Sequence, residues 1–312
     1  MPNNTQATKD LLILGAGPAG LSASVYASRY KIDHLVLGAE IGGYLNEIHK
    51  IENYPGFDSI GGMELASKMA SHAKSLGGEI IQTEIKAVAQ KEDIFEVVTN
   101  KETYLAKNLL YSIGTQAQKL NIPGEKEFLG RGVSYCATCD GPFFKNKIVT
   151  VVGGGNSAFM AVAILAGYAQ KVRLFYRGDK SKLSAAPIYI EQAEKMPDVE
   201  IICCTNLKEI KGENKVSSVI VDQPYQGSEE VLTDGVFIEI GSAPNVALIK
   251  DLGVDLDERG FIKVNADQST NVPGFFAAGD ITTNSNGFRQ IITACAEGAV
   301  AVEGVYRKMR RE

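Results

Sequence analysis

Short runs of apolar residues that stop abruptly at glycine set the pattern of this chain. Residues 10–20 read DLLILGAGPAG, so an apolar run passes straight into Gly15-x-Gly17-x-x-Gly20. Such a run predicts a buried strand, and the small residues 21–30 predict the helix that follows. A second strand over 34–37 closes a βαβ unit. The pattern returns at 147–158, KIVTVVGGGNSA, with Gly153, Gly155 and Ala158 in the same spacing. A helix to Gly167 and a strand over 171–176, ending at Arg177, complete this second copy. Near the C-terminus, PGFFAAGD at 273–280 predicts one more apolar strand, which delivers Asp280 to a loop.

Other segments carry helical or strand periodicity without chemistry. Met63, Leu65, Ala66, Met69, Ala70, Ala73 and Leu76 fall at helical spacing and predict a packing helix. VEIICCTNL predicts a strand in which Cys203 and Cys204 are small buried hydrophobes. ITACAEGAVAVEGV predicts a helix with Cys295 in its core face, and the terminal RKMRRE a solvated helix end.

The glycines at these turns let the backbone approach a pyrophosphate, whose charge meets the free N–H groups and positive end of the helix. Glu40, just past the second strand, is placed to accept from a ribose hydroxyl. A carboxylate such as Asp280 at a strand end suits the hydroxyls of a ribityl chain. Two fingerprints in matching contexts amount to an internal duplication. The expected fold is α/β, with two Rossmann-like nucleotide-binding domains, the second inserted into the first. The first spans 1–116 and 246–312, and the second spans 118–244. Crossings at 114–117 and 241–244 are rich in small residues and would permit a hinge.

Length and composition agree with this picture. A chain of 312 residues is large for one core, and 45% hydrophobic with 22% charged residues is ordinary for a globular protein. A net charge of -5, no Trp and scattered Phe and Tyr give no footprint for nucleic acid. No apolar run approaches a membrane span, and the polar opening MPNNTQATKD lacks the regions of a signal peptide, so a cytoplasmic location is expected.

Five cysteines do not suggest a secreted disulfide framework. Two of them form Cys136-Ala137-Thr138-Cys139-Asp140, between the two fingerprints. In a reducing cytosol a C-x-x-C pair is either catalytic or metal-binding. Tetrahedral zinc needs four ligands, and no second C-x-x-C or His pair accompanies this one. His34, His49 and His72 are dispersed, and no metal site is expected.

GAGPAG, IENYPG at 51–56, CATCDG at 136–141, GGGNSA and FAAGD together resemble the low-molecular-weight thioredoxin reductase family of flavoproteins, in order and separation, over nearly the whole chain. The resemblance implies a homodimer that holds FAD in the split domain and a pyridine nucleotide in the inserted one, and that reduces the disulfide of a thioredoxin-like protein. It implies alternation between two domain orientations. It makes Cys139 the thiol beside the flavin, Cys136 the interchange thiol and Asp140 the acid–base group. The implied FAD contacts are Gly15, Gly17, Pro18, Ala19, Gly20, Glu40, Gly43, Tyr44, Leu45, Asn53, Ile85, Gly114, Gly279, Asp280, Arg289, Gln290 and Ile291. Those implied for NAD(P) are Gly153, Gly155, Asn156, Ser157 and Arg177.

The nucleotide segment departs from the family pattern. Paired glutamates are replaced by Met160 and Ala161, and of a His-Arg-Arg segment plus a further Arg only Arg177 survives, with Gly178 at one cationic place and Ser184 near the place of the last Arg. Lys180 and Lys182 offer flexible point charges in their stead. Each lost charge-assisted contact of about 1.5–3 kcal/mol weakens preference for a 2′-phosphate by one to two decades. NADPH, NADH or another donor such as ferredoxin therefore all stay open. Near the flavin, Tyr44 replaces a usual Gln, and Ser112-Ile113-Gly114 replaces Ala-Thr-Gly. Tyr44 either meets the flavin or nicotinamide side or simply fills space.

Overall fold

The computed structural model describes residues 8–48 and 51–311. The polar opening up to Ala7, His49 and the terminal Glu312 lie outside the described residues. The chain divides into two units, Met1–Gln116 with Pro244–Glu312, and Ala117–Ala243.

In the first unit, parallel strands lie in the order Glu79–Gln82, His34–Gly38, Lys9–Leu14, Thr103–Tyr111. Leu11 to Leu14 are fully buried because layers of structure cover both sheet faces, which is why this strand reads as unbroken apolar sequence. An antiparallel meander, Ile85–Lys91 and Ile94–Thr99, leads into Thr103–Tyr111. Beyond it, Phe275–Ala277 pairs in parallel with the C-terminal half of that same strand, Phe276 opposite Leu110. The last segment of the chain thus completes the sheet begun by the first. Helix Pro18–Arg29 packs on the C-terminal helix Ile291–Met309, so closely that a Cβ on Gly298 would lie 2.1 Å from the Ala19 carbonyl oxygen.

The second unit repeats the scheme. Its parallel sheet runs Val199–Ile202, Lys171–Phe175, Ile148–Val152, Gly235–Ile238, Val133–Ser134. A separate antiparallel meander comprises Leu207–Gly212, Val216–Tyr225 and Ser228–Leu232. In both units an antiparallel meander follows the third parallel strand counted from the one that ends in the glycine turn, which is the duplication seen in three dimensions.

Three local expectations are corrected. Met63 is 70% exposed although helix Gly62–Ser75 forms, because the helix buries the face of Leu65, Ala66, Ala70 and Ala73 instead. Leu76 lies past the helix end and is 40% exposed. The strand before the cysteines stops at Ile202, so Cys203 is half-buried and Cys204 exposed, the latter in a left-handed turn at φ 57°. Cys295 is buried in the C-terminal helix as expected.

Candidate active site

The first glycine-rich turn shows what its spacing is for. Gly15 has φ 110°, and a Cβ there would meet the Ser112 carbonyl oxygen at 2.3 Å. A Cβ on Gly20 would meet the Gly15 oxygen at 1.9 Å, so the turn and the helix stay in contact only without side chains. At Gly17 the nearest atom to a Cβ is 3.9 Å away, which leaves an open cradle at the helix N-terminus. Pro18 and Ala19 start the helix, and Gly43, at φ 53°, faces Gly17. Ser112 Oγ donates to the Leu14 carbonyl and holds the strand ends together.

The other expected FAD residues gather on this same unit. Glu40, past the end of its strand, is exposed and accepts from Asn46 at 2.8 Å. Asn53 donates to Gln290, which caps the C-terminal helix just ahead of Ile291. Tyr44 is 47% exposed on the short turn Gly43–Glu47, so it fills no core space, whereas Leu45 is buried there. Ile85 opens the meander and packs on the core, and Gly114 sits at φ 76° ahead of the crossing segment.

Asp280 and Arg289 are neighbours in this unit, joined through the Asp280 backbone and coupled electrostatically. Arg289 Nε donates to the Asp280 carbonyl at 3.1 Å, its guanidinium lies 3.9 Å from the Phe261 ring centroid, and its buried Nη2 has no partner. Burial pushes the Asp280 carboxyl up to about 6, against the pull of Arg289 and with a further push from Glu297. The half-buried, partly desolvated Asp280 carboxyl and the orphaned guanidinium nitrogen follow Gly279, which lies against Ala19 of the first glycine turn, and together they fit a polyhydroxylated dinucleotide such as FAD.

This shift has a testable sign. The folded-state value of about 6 lies above the ordinary 3.8, so the proton on Asp280 stabilises the fold at low pH and that contribution is lost as pH rises through about 6. Asp280→Asn is expected to raise the melting temperature of FAD-free protein at pH 8 by a few degrees relative to wild type, on the order of 2–4 °C per kcal/mol. The difference should shrink toward pH 4, and thermal scans at both pH values check it. FAD affinity should fall in the same variant.

Glu297 was not singled out by the sequence. It is 6% exposed on the C-terminal helix, and its carboxylate accepts from Gly279 N at 2.8 Å, Thr282 Oγ1 at 3.0 Å and Ser285 Oγ at 2.5 Å. It fixes the loop that carries Gly279 and Asp280 by charge-assisted bonds. Its one sequence signal is an acid among small apolar residues, TACAEGAVAV.

In the second unit, Cys136 and Cys139 are joined by a disulfide, their Cα atoms 5.3 Å apart. Cys136 caps the short helix Ala137–Asp140, and its Sγ accepts from the Cys139 N–H at 3.1 Å. Ser134 Oγ accepts from the Cys136 N–H at 3.0 Å. Cys139 is exposed, whereas Cys136 and Asp140 are half-buried. Among the described residues no cluster of His, Cys, Asp and Glu could hold a metal.

The second glycine turn is also formed, with Gly153, Gly155, Asn156 and Ser157 at the start of helix Asn156–Ala166. At Gly155, the counterpart of Gly17, the nearest atom to a Cβ is Ser184 Oγ at 3.5 Å, whereas the preceding glycine is covered. A Cβ on Gly154 would meet the Tyr176 ring at 2.4 Å, and Tyr176 OH donates to the Lys182 carbonyl. Ser184 N–H donates to the Gly154 carbonyl and Ala186 N–H to Asn156 Oδ1. Arg177 is exposed, while Lys180 pairs with Glu194 at 2.5 Å, which raises the lysine pKa.

The sequence model of the pyridine nucleotide-disulphide oxidoreductase family matches residues 9–298. A thioredoxin reductase of Listeria innocua is 42% identical over 295 residues, 94% of this chain and 91% of that protein. The chain belongs to the thioredoxin reductase family. The crystal structure of Lactococcus lactis thioredoxin reductase superimposes with a TM-score of 0.92 at 36% identity, covering 98% of this chain and 100% of that one. A ferredoxin-flavin thioredoxin reductase from Clostridium acetobutylicum matches with a TM-score of 0.53 at 33% identity, covering 98% and 99%. No helix among the described residues is long and apolar enough to cross a membrane.

Proposed function

We propose that this thioredoxin reductase family member passes electrons from NAD(P)H through FAD and the Cys136–Cys139 pair to the disulfide of a thioredoxin-like protein. The disulfide at Cys136 and Cys139, in the unit that also carries the second glycine turn, is the observation that carries the reading. FAD belongs to the unit of Gly15–Gly20, Glu297, Asp280 and Arg289, and the nucleotide to Ala117–Ala243. A homodimer and a cytoplasmic location form part of the same reading.

FAD, when bound, supplies the two-electron chemistry that returns the disulfide to the dithiol. In the dithiol, the Cys136 thiolate attacks one sulfur of the partner disulfide, forms a mixed disulfide and expels a partner thiolate. Asp140 handles the proton of that exchange. The Cys139 thiolate then attacks Cys136 Sγ, which releases the second partner thiol and closes the Cys136–Cys139 bond. Phe143, 80% exposed directly beyond the dithiol, offers an apolar contact to the partner.

A second reading keeps the flavin and dithiol and replaces NADPH with another donor, a one-electron carrier such as ferredoxin among them. The neutral Gly178 and Ser184, the ion-paired Lys180 and the Tyr176 ring over Gly154 favour it. Anaerobic titration separates the two. Flavin bleaching by NADPH or NADH with the appearance of two thiols supports the first, and bleaching only by reduced ferredoxin or dithionite supports the second.

A further inference from the structure

Ten residues ahead of Tyr135, a carboxylate is buried in the second unit with no part in the chemistry above. Glu125 is 4% exposed. Its Oε1 accepts from Leu120 N at 2.9 Å and from Tyr135 OH at 2.7 Å, and its Oε2 accepts from Asn121 N at 2.6 Å. Burial, together with the adjacent Glu125 carboxylate, holds the Tyr135 phenol well above its ordinary pKa, so it stays protonated as a donor.

The positions of these donors matter. Leu120 and Asn121 belong to the first stretch of chain past the crossing segment, and Asn121 turns there with φ 57°. Tyr135 immediately precedes Cys136. On the other side of Tyr135, Ser134 sits in the parallel sheet opposite Phe237 and binds the Cys136 N–H. One buried charge thus ties the incoming chain to the strand end that bears the dithiol. Removing a donor leaves a buried carboxylate partly unsatisfied, which is costly and would release the tie.

We propose that Glu125 and Tyr135 form a brace that positions Cys136, making the incoming chain and the dithiol arm one rigid piece. The proposal rests on the reading of Cys136 as the interchange thiol. A braced Cys136 meets Cys139 with few conformations to lose on closure. Without the brace the reduced arm samples more conformations, and closing the disulfide must freeze them. The dithiol is then favoured over the disulfide.

The test measures the Cys136–Cys139 equilibrium of the FAD-loaded protein in glutathione buffers, by alkylating the free thiols. Tyr135→Phe, which keeps the ring, is expected to shift the equilibrium toward the dithiol about tenfold, or about 30 mV. Turnover with a thioredoxin should fall in kcat with KM unchanged, and the flavin spectrum should not change. Glu125→Gln should shift further in the same direction. If it fails to fold, Tyr135→Phe alone decides. A Tyr135→Phe equilibrium within twofold of wild type overturns the brace, even if the melting temperature falls. Absence of thioredoxin turnover in the wild-type protein would count against the functional reading only, since the equilibrium is read without a partner protein.

Discussion

Cys139→Ser is expected to lower disulfide-reductase turnover by at least about 10⁴-fold while the protein stays yellow. The first exchange step needs only Cys136, so the variant, once supplied with a free Cys136 thiol, still attacks a partner disulfide. Resolution needs a second thiolate held beside the mixed disulfide, and tethering of that kind is equivalent to a very high local concentration. Serine at 139 supplies a poor nucleophile with no thiolate at neutral pH, so the covalent complex accumulates. The complementary Cys136→Ser variant forms no adduct through the interchange position. Both should retain FAD, because Asp280, Arg289 and the Gly15–Gly20 cradle lie in the other unit, Met1–Gln116 with Pro244–Glu312. Stopped-flow turnover, mass spectrometry of the trapped complex and the visible flavin spectrum check the three parts. Sustained turnover by Cys139→Ser would remove the dithiol from the mechanism.

What the sequence made legible follows from where the physics is local. An apolar run ending in G-x-G-x-x-G declares strand, turn and helix at once, because burial on both faces and the glycine contacts at Gly15 and Gly20 leave few other residues that fit. C-x-x-C likewise carries its geometry in its spacing. Glu297 and Glu125 were not legible, since Glu297 acts through donors 12 to 18 residues away and Glu125 through loop N–H groups and the more distant Tyr135, and an isolated Glu in a sequence looks the same whether solvated or buried. Met63 misled for a related reason. Its spacing put it at the edge of an apolar stripe, and only the packed neighbours decide which edge is covered. Cys203 and Cys204 were placed by strand alternation, which ended one residue too early to apply, at Ile202. The Tyr176 ring over Gly154 is a tertiary contact between a strand end and a turn, so the replaced arginines were readable and the covered turn was not.

Rebuilding the cationic clamp is the second change expected to have a large effect. Where the resemblance implies guanidinium groups, this chain has Gly178 at one place and Ser184 near the other, and its Lys180 is already paired with Glu194. A guanidinium forks onto a phosphate through two parallel N–H bonds, which a flexible ammonium cannot reproduce. Two such contacts of about 1.5–3 kcal/mol each correspond to two to four decades in the ratio of NADPH to NADH efficiency. Wild type is therefore expected to discriminate little between the two nucleotides. Gly178→Arg alone should gain less than its share, because a Cβ at 178 would lie 2.9 Å from Tyr176 Cε1 and from its hydroxyl oxygen. The ring must leave first, which makes Tyr176→His with Gly178→Arg and Ser184→Arg the informative variant. That triple change should raise the NADPH to NADH ratio of flavin-bleaching efficiency at least about 100-fold, with the gain falling as salt rises because part of it is charge. Ser184→Ala should do nothing to the ratio. A wild-type protein that already prefers NADPH by more than 100-fold would show that Arg177 and Lys182 suffice, and the neutral positions would lose their meaning for donor choice.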